Sequence, residues 1–206
     1  MPAQSVVMPP LDLRADVGVV HADTRTVDLT FATANADVRR FDWETGTRFW
    51  ERLSLDPQHV RMQRLTSGTA PLLDSHSAYS IAHVIGVVES AGLEGKRGTS
   101  SVRFSKRADV EPFYQDVLDK IIRNVSLGYR VYRFEELSGR KDGLPIRLAV
   151  EWEPYEISMV PMGADAGART RSSREVETNP CVLVRAGAVM TDADRMRRFR
   201  LAVART

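Results

Sequence analysis

A serine hydroxyl attacks a carbonyl only when a base removes its proton, and the base needs a third group to fix its tautomer. The chain holds pieces for such a relay at wide spacing. Its four histidines are His21, His59, His76 and His83, and none follows residue 83. Ser126 lies in Arg123-Asn124-Val125-Ser126-Leu127-Gly128-Tyr129-Arg130-Val131. Val125, Leu127, Tyr129 and Val131 alternate onto one face of a strand, and Ser126, Gly128 and Arg130 onto the other. The hydroxyl is thereby directed away from the apolar layer. Beside it stands a residue without a side chain, which would give a substrate backbone close access. A base for Ser126 must be an upstream histidine or a lysine. With no later histidine, a carboxylate or an upstream residue must be the third group. Glu151, Glu153 and Glu156 stand near, and Glu156, Ser158 and Val160 share one face by alternation.

Each piece also has a plain meaning. From its own stretch alone Ser126 reads first as a polar residue on a half-buried strand, His76 more readily as a structural histidine at a strand edge, and the glutamates as a solvated edge. Other chemistry is weakly signalled. The single cysteine, Cys181, rules out an internal disulfide and a cysteine-rich zinc site. With no histidine after it, it reads as a buried or tail thiol. Asp74 and His76 could begin a metal pair, but no further ligands are placed to complete it. There is no glycine-rich phosphate loop, no His-Glu-x-x-His and no Gly-x-Ser-x-Gly elbow. No cofactor is expected.

The elements that would position these residues are mostly strands. Residues 14–20 and 25–40 alternate, with a turn at 21–24. Phe49 to Leu53 is expected to start a short helix, and Asp56-Pro57 to open another. Pro71 to His76 leads into the β-branched run Ile81 to Val88, and Ser101 to Ser105 alternates again. Asp109 is expected to cap a helix with Glu111 and Pro112 in its first turn. Val110, Phe113, Tyr114, Val117, Leu118, Ile121 and Ile122 give it the cleanest helical period in the chain. The Ser126 strand follows, then an Asp142-Gly143 turn and a return strand from Leu144 to Trp152. Pro154 is expected to break that strand before Tyr155 to Val160 resumes it.

The 206 residues carry a net charge of +2. This length suits one domain with a real core, and the charge argues neither for nor against nucleic acid. No stretch approaches the ~20 apolar residues that span a bilayer, and Met1 to Pro10 lacks the order of a signal peptide, so a cytoplasm is the expected compartment. Residues 1–13 read as a Pro-rich flexible arm and 14–168 as the domain. Residues 169–206 read as an extension with nine Arg against four acids, and a helix start at Thr191. Such a charge run reads as a solvated face or an arm before it reads as a nucleic-acid site.

Three segments in order carry a resemblance. Pro71-Leu72-Leu73-Asp74-Ser75-His76, followed by Val84-Ile85-Gly86-Val87-Val88, resembles the histidine motif of tailed-phage prohead serine proteases. Ile122 to Tyr129 resembles their serine motif. Trp152 to Pro161, with Ala164-Asp165-Ala166-Gly167-Ala168, resembles their Glu-aliphatic-Ser-aliphatic-Val-Pro motif and its small-residue trailer. His76 and Ser126 are 50 positions apart, and Ser126 and Glu156 are 30 apart. The resemblance covers about Arg14 to Ala168.

It implies a mainly β fold with flanking helices, a closed barrel like that of the herpesvirus capsid-assembly protease. It implies His76 as general base, Ser126 as nucleophile and Glu156 as orienting carboxylate, where the herpesvirus enzyme uses a histidine as its third member. Ser158 lies in the same motif and is the rival nucleophile. Ser126 is preferred because Gly128 leaves space on its side of the strand. The motifs do not identify the oxyanion donors; backbone amides near Met162-Gly163 are a guess. The implied substrate is the scaffold protein or the scaffolding segment of the major capsid protein. Cleavage would occur inside the assembling prohead in a host cytoplasm, or in a bacterial cytoplasm if the gene belongs to a prophage. Self-cleavage is implied too. In some such phages the protease is fused ahead of the capsid protein, or carries a removable extension. A catalytically silent virion protein that binds scaffold through its basic tail is the alternative.

Overall fold

The computed structural model describes residues 4–8, 11–34, 36–42, 45–161 and 179–184. Eleven strands account for most of them: β1 (Gln4–Met8), β2 (Leu11–His21), β3 (Thr26–Thr33), β4 (Asp37–Asp42), β5 (Thr47–Leu53), β6 (Pro71–Asp74), β7 (Val84–Glu94), β8 (Arg97–Phe104), β9 (Asn124–Lys141), β10 (Leu144–Met159) and β11 (Asn179–Val184). Two short helices, α1 (Gln63–Thr66) and α2 (Glu111–Leu118), and a 3-10 turn at Ile81–His83 join them. The strands pair in the order β1-β11-β9-β2-β3-β8-β7-β6-β10-β5-β4. β9 also pairs with β10.

Alternation produces the core. Val27, Leu29 and Phe31 of β3 are almost fully buried, as are Val125, Leu127, Tyr129 and Val131 of β9 and Trp152 and Ile157 of β10. The β9–β10 hairpin turns through Asp142 and Gly143, both at positive φ (49° and 75°). That is the twist a two-residue hairpin turn requires, and an Asp-Gly pair supplies it at low strain.

Several expectations change. Phe49 to Leu53 is strand β5. Phe49, Glu51 and Leu53 alternate inward, and β5 is hydrogen-bonded to β4 on one side and β10 on the other. A period of two with partners on both sides outweighs a short run of helix formers. Helix α2 begins and ends inside its apolar pattern. Val110 occupies the cap position without a side-chain bond, while Asp109 pairs with Arg107. At the other end Lys120 turns left-handed (φ 60°), and the amides of Ile121 and Ile122 both return to the Asp116 carbonyl. Ile121 is left 70% exposed. Pro154 does not break β10; it sits at an irregularity inside one continuous strand.

Two strands lie in the stretches whose composition suggests an arm and an extension. β1 pairs antiparallel with β11, and β11 runs parallel to β9. Asn179, Cys181 and Leu183 alternate inward along β11, a strand signal inside a polar, Pro-bounded stretch. The expected small-residue trailer 164–168 and the helix from Thr191 lie outside the described residues.

Candidate active site

β10 lies between β9 on one side and β6 on the other. Its register with β9 sets Glu156 opposite Gly128 and Ser158 opposite Ser126. Directly opposed residues of an antiparallel pair project on the same side, so these four share one face. The register depends on a shift between Pro154 and Glu156: Pro154 pairs with Tyr129, Glu156 with the adjacent Gly128, and Tyr155 is the extra residue. A proline, which has no N–H to give, fits such a bulge. Without the bulge, Tyr155 would lie opposite Gly128.

His76 arrives from the other side. β6 runs parallel to β10 with Leu73 beside Ser158 and Asp74 beside Met159. The Ser75 amide then bonds the Met159 carbonyl at 3.0 Å. Ser75 and His76 are both left-handed, with φ of 49° and 59°. Two consecutive non-glycine residues in this region cost roughly 1–3 kcal/mol each, and such strain gathers at functional sites. The turn folds the chain back onto β10. His76 Nδ1 then lies 2.6 Å from Glu156 Oε1, and the His76 amide donates to Ser158 Oγ at 3.1 Å. A carboxylate only accepts, so Nδ1 carries the proton in this contact, and a neutral ring in this tautomer has its lone pair on Nε2. That is the tautomer a serine-activating base needs. The His76 side chain is 27% exposed, and that of Glu156 only 4%.

The two serines differ. Ser158 Oγ donates to Glu156 Oε2 at 2.7 Å while accepting from the His76 amide. Ser126 Oγ is buried with no hydrogen-bond partner, in a residue 1% exposed. A buried hydroxyl without a partner is uncommon and calls for an explanation. The structure thus joins His76 and Glu156 directly and sets Ser126 on their face without a bond to either.

The open approach beside Ser126 is not found. A β-carbon on Gly128 would lie 2.7 Å from Cδ of Glu156 and closer still to its Oε1. The room made by the missing side chain is therefore taken by the carboxylate. Glu156 belongs to the neighbouring strand, and alternation within β9 alone cannot reveal that.

The remaining candidates have other partners. His21 pairs with Asp28 at 3.0 Å on the exposed surface, and His59 Nδ1 meets Ser54 Oγ at 2.7 Å. His83 stands in the 3-10 turn. Glu151 pairs with Arg61, and Glu153 accepts from the Tyr132 hydroxyl at 2.7 Å. Cys181 is buried, and burial pushes its thiol up to about 12. Met162-Gly163 lies outside the described residues. Among the described residues no group of three or more His, Cys, Asp or Glu could hold a metal ion. No described helix is long and apolar enough to cross a membrane.

Fold and site together define a mainly β protein with a histidine–glutamate pair beside two opposed serines. No family model matches the chain. The major capsid protein of Halomonas phage phiHAP-1 is 43% identical over 107 residues, which is 52% of this chain and 17% of that protein. The chain thus spans less than a fifth of the length of the curated relative it matches. Among solved structures, the bacteriophage T4 capsid assembly protease, gp21, is similar with a TM-score of 0.43 and 8% identity, covering 78% of this chain and 99% of that one.

Proposed function

We propose that the chain is a serine endopeptidase of phage capsid maturation. In this reading Ser126 is the nucleophile, His76 the general base and Glu156 the orienting carboxylate. The observation that carries it is the 2.6 Å contact between His76 Nδ1 and Glu156 Oε1, made across 80 residues of sequence on the face that also bears Ser126. The order of the three motifs and the similarity to a phage major capsid protein support it. The pairing of β9 with β10 supports a closed, herpesvirus-protease-like barrel.

In this mechanism His76 Nε2 accepts the Ser126 proton as Oγ bonds to the scissile carbonyl carbon. The imidazolium returns that proton to the leaving amine as the C–N bond breaks. Water, deprotonated by the same histidine, then splits the acyl-enzyme. Glu156 holds Nδ1–H throughout and faces the charge that forms on the ring. Ser158 suits the nucleophile's role less well, because its proton is committed to Glu156 and one of its lone pairs to an amide. The substrate would be scaffold or capsid protein, with self-cleavage included, inside a prohead.

A second reading is a catalytically silent virion protein. The near-complete burial of Ser126 and the similarity to a phage capsid protein, which is no protease by name, favour it. A fluorophosphonate probe with mass readout separates the two. Serine catalysis gives one covalent adduct on the Ser126 peptide, and self-shortening on storage that the probe blocks. An unlabelled chain that binds capsid protein and keeps its mass would decide for the second reading.

A further inference from the structure

We propose that Ser158 and Gly128 are positioning residues that together seat the Glu156 carboxylate, and that the Ser158 hydroxyl clamps the acid and the base at once. This rests on the reading of His76 and Glu156 as a catalytic pair. Gly128 stands opposite Glu156, and the volume a β-carbon would take there is filled by Glu156 itself. The residue makes room for an acid, and the backbone of β9 is the floor of the seat. Ser158, two residues along β10, lies on the same face and gives its one proton to Oε2. That leaves Oε1 turned toward His76 Nδ1. Ser158 Oγ itself accepts from the amide of His76, a residue held in a left-handed turn. One hydroxyl thus fixes the carboxylate's rotation and the backbone from which the imidazole projects. A serine can do both because it has one donor and two lone pairs.

The seat predicts coupling, and double-mutant cycles measure coupling. The first cycle combines Gly128→Ala with Glu156→Ala and reads melting temperature in the full chain. Gly128→Ala should lower it by about 5 °C when Glu156 is present, from overpacking, and by about 1 °C or less when Glu156 is alanine. The second combines Ser158→Ala with Glu156→Ala and reads both melting temperature and the second-order rate of fluorophosphonate labelling. Ser158→Ala should slow labelling about ten- to a hundredfold with Glu156 present, and hardly at all without it. A merely structural serine would slow both backgrounds alike. Equal effects in the two backgrounds, in either cycle, overturn the seat. The melting cycles need no activity. An unlabelled parent chain therefore sinks the protease reading while leaving the seat to be judged by melting alone.

Discussion

Ser126 and Ser158 face each other across β9 and β10, and their hydroxyls are in opposite circumstances. Ser158 Oγ has both a donor and an acceptor partner; Ser126 Oγ has neither. Sequence alone leaves these two serines as rivals. In the fold they differ by two hydrogen bonds, and substitution should separate them cleanly.

Ser126→Ala should abolish probe labelling and self-shortening, whereas Ser158→Ala should keep a slowed reaction. His76→Ala should be as inactive as Ser126→Ala, and Glu156→Gln less so, because the third member orients and does not attack; the loss there is on the order of 10⁴ or smaller. Ser126→Ala should leave the melting temperature unchanged or raise it, since it removes a buried hydroxyl that nothing satisfies. Normal labelling of Ser126→Ala would reverse the two serines. A melting temperature several degrees lower would show that Ser126 has a structural bond.

Acid should weaken the β4–β5 edge through Asp37. The Arg52 guanidinium hydrogen-bonded to it, and the Lys141 ammonium beyond, hold its carboxyl below the usual value of 3.8, against the opposing effect of burial. A lowered folded value means that the unfolded chain binds the proton first as pH falls. The stabilisation is therefore present above pH 3.8 and is lost as pH drops through the folded value. Urea midpoints between pH 6 and about pH 2.5 should fall less steeply for Asp37→Asn than for the parent. Parallel curves would remove Asp37 from this account.

Gly143→Ala should cost about 1 kcal/mol, or about 2–4 °C in melting temperature. Nothing lies within 4 Å of the β-carbon position at Gly143, so the cost comes from its φ of 75° alone. The turn residues should matter to the hairpin and not to the site. Differential scanning calorimetry reads the first expectation, and an unchanged labelling rate reads the second.

Cys181 should be inert in the folded chain. Burial pushes its thiol up to about 12, so little thiolate forms at neutral pH. Modification by 5,5′-dithiobis(2-nitrobenzoate) at pH 8 should proceed at the rate of unfolding and become immediate in guanidinium. Rapid stoichiometric reaction without denaturant would show that β11 leaves its place beside β9.

What the sequence determined by itself is the chemistry available and the period of most strands. The absence of any histidine after residue 83 assigns a third member of the relay to an acid or an upstream group. Two-residue alternation marks β3, β9 and the core faces of Val27 to Phe31 and Val125 to Val131, because only a strand puts every second side chain on one side. The Asp142-Gly143 turn is legible for the same local reason. Where neighbours outweighed local preference, the sequence misled. Phe49 to Leu53 became a strand because β4 and β10 offered hydrogen bonds on both edges. The Arg-rich extension holds a strand because β9 and β1 receive it.

The site itself was decided by tertiary structure. One bulge at Tyr155 selects which residue of β10 stands over Gly128, and a one-residue change would put the acid on the other face. Gly128, an apparent opening for substrate when its strand is taken alone, is filled once the neighbouring strand supplies its carboxylate. The left-handed turn at Ser75 and His76 brings the imidazole from the end of β6 to Glu156 of β10. Register and turn geometry are relations between segments 30 to 80 residues apart, and no single stretch of the chain contains them.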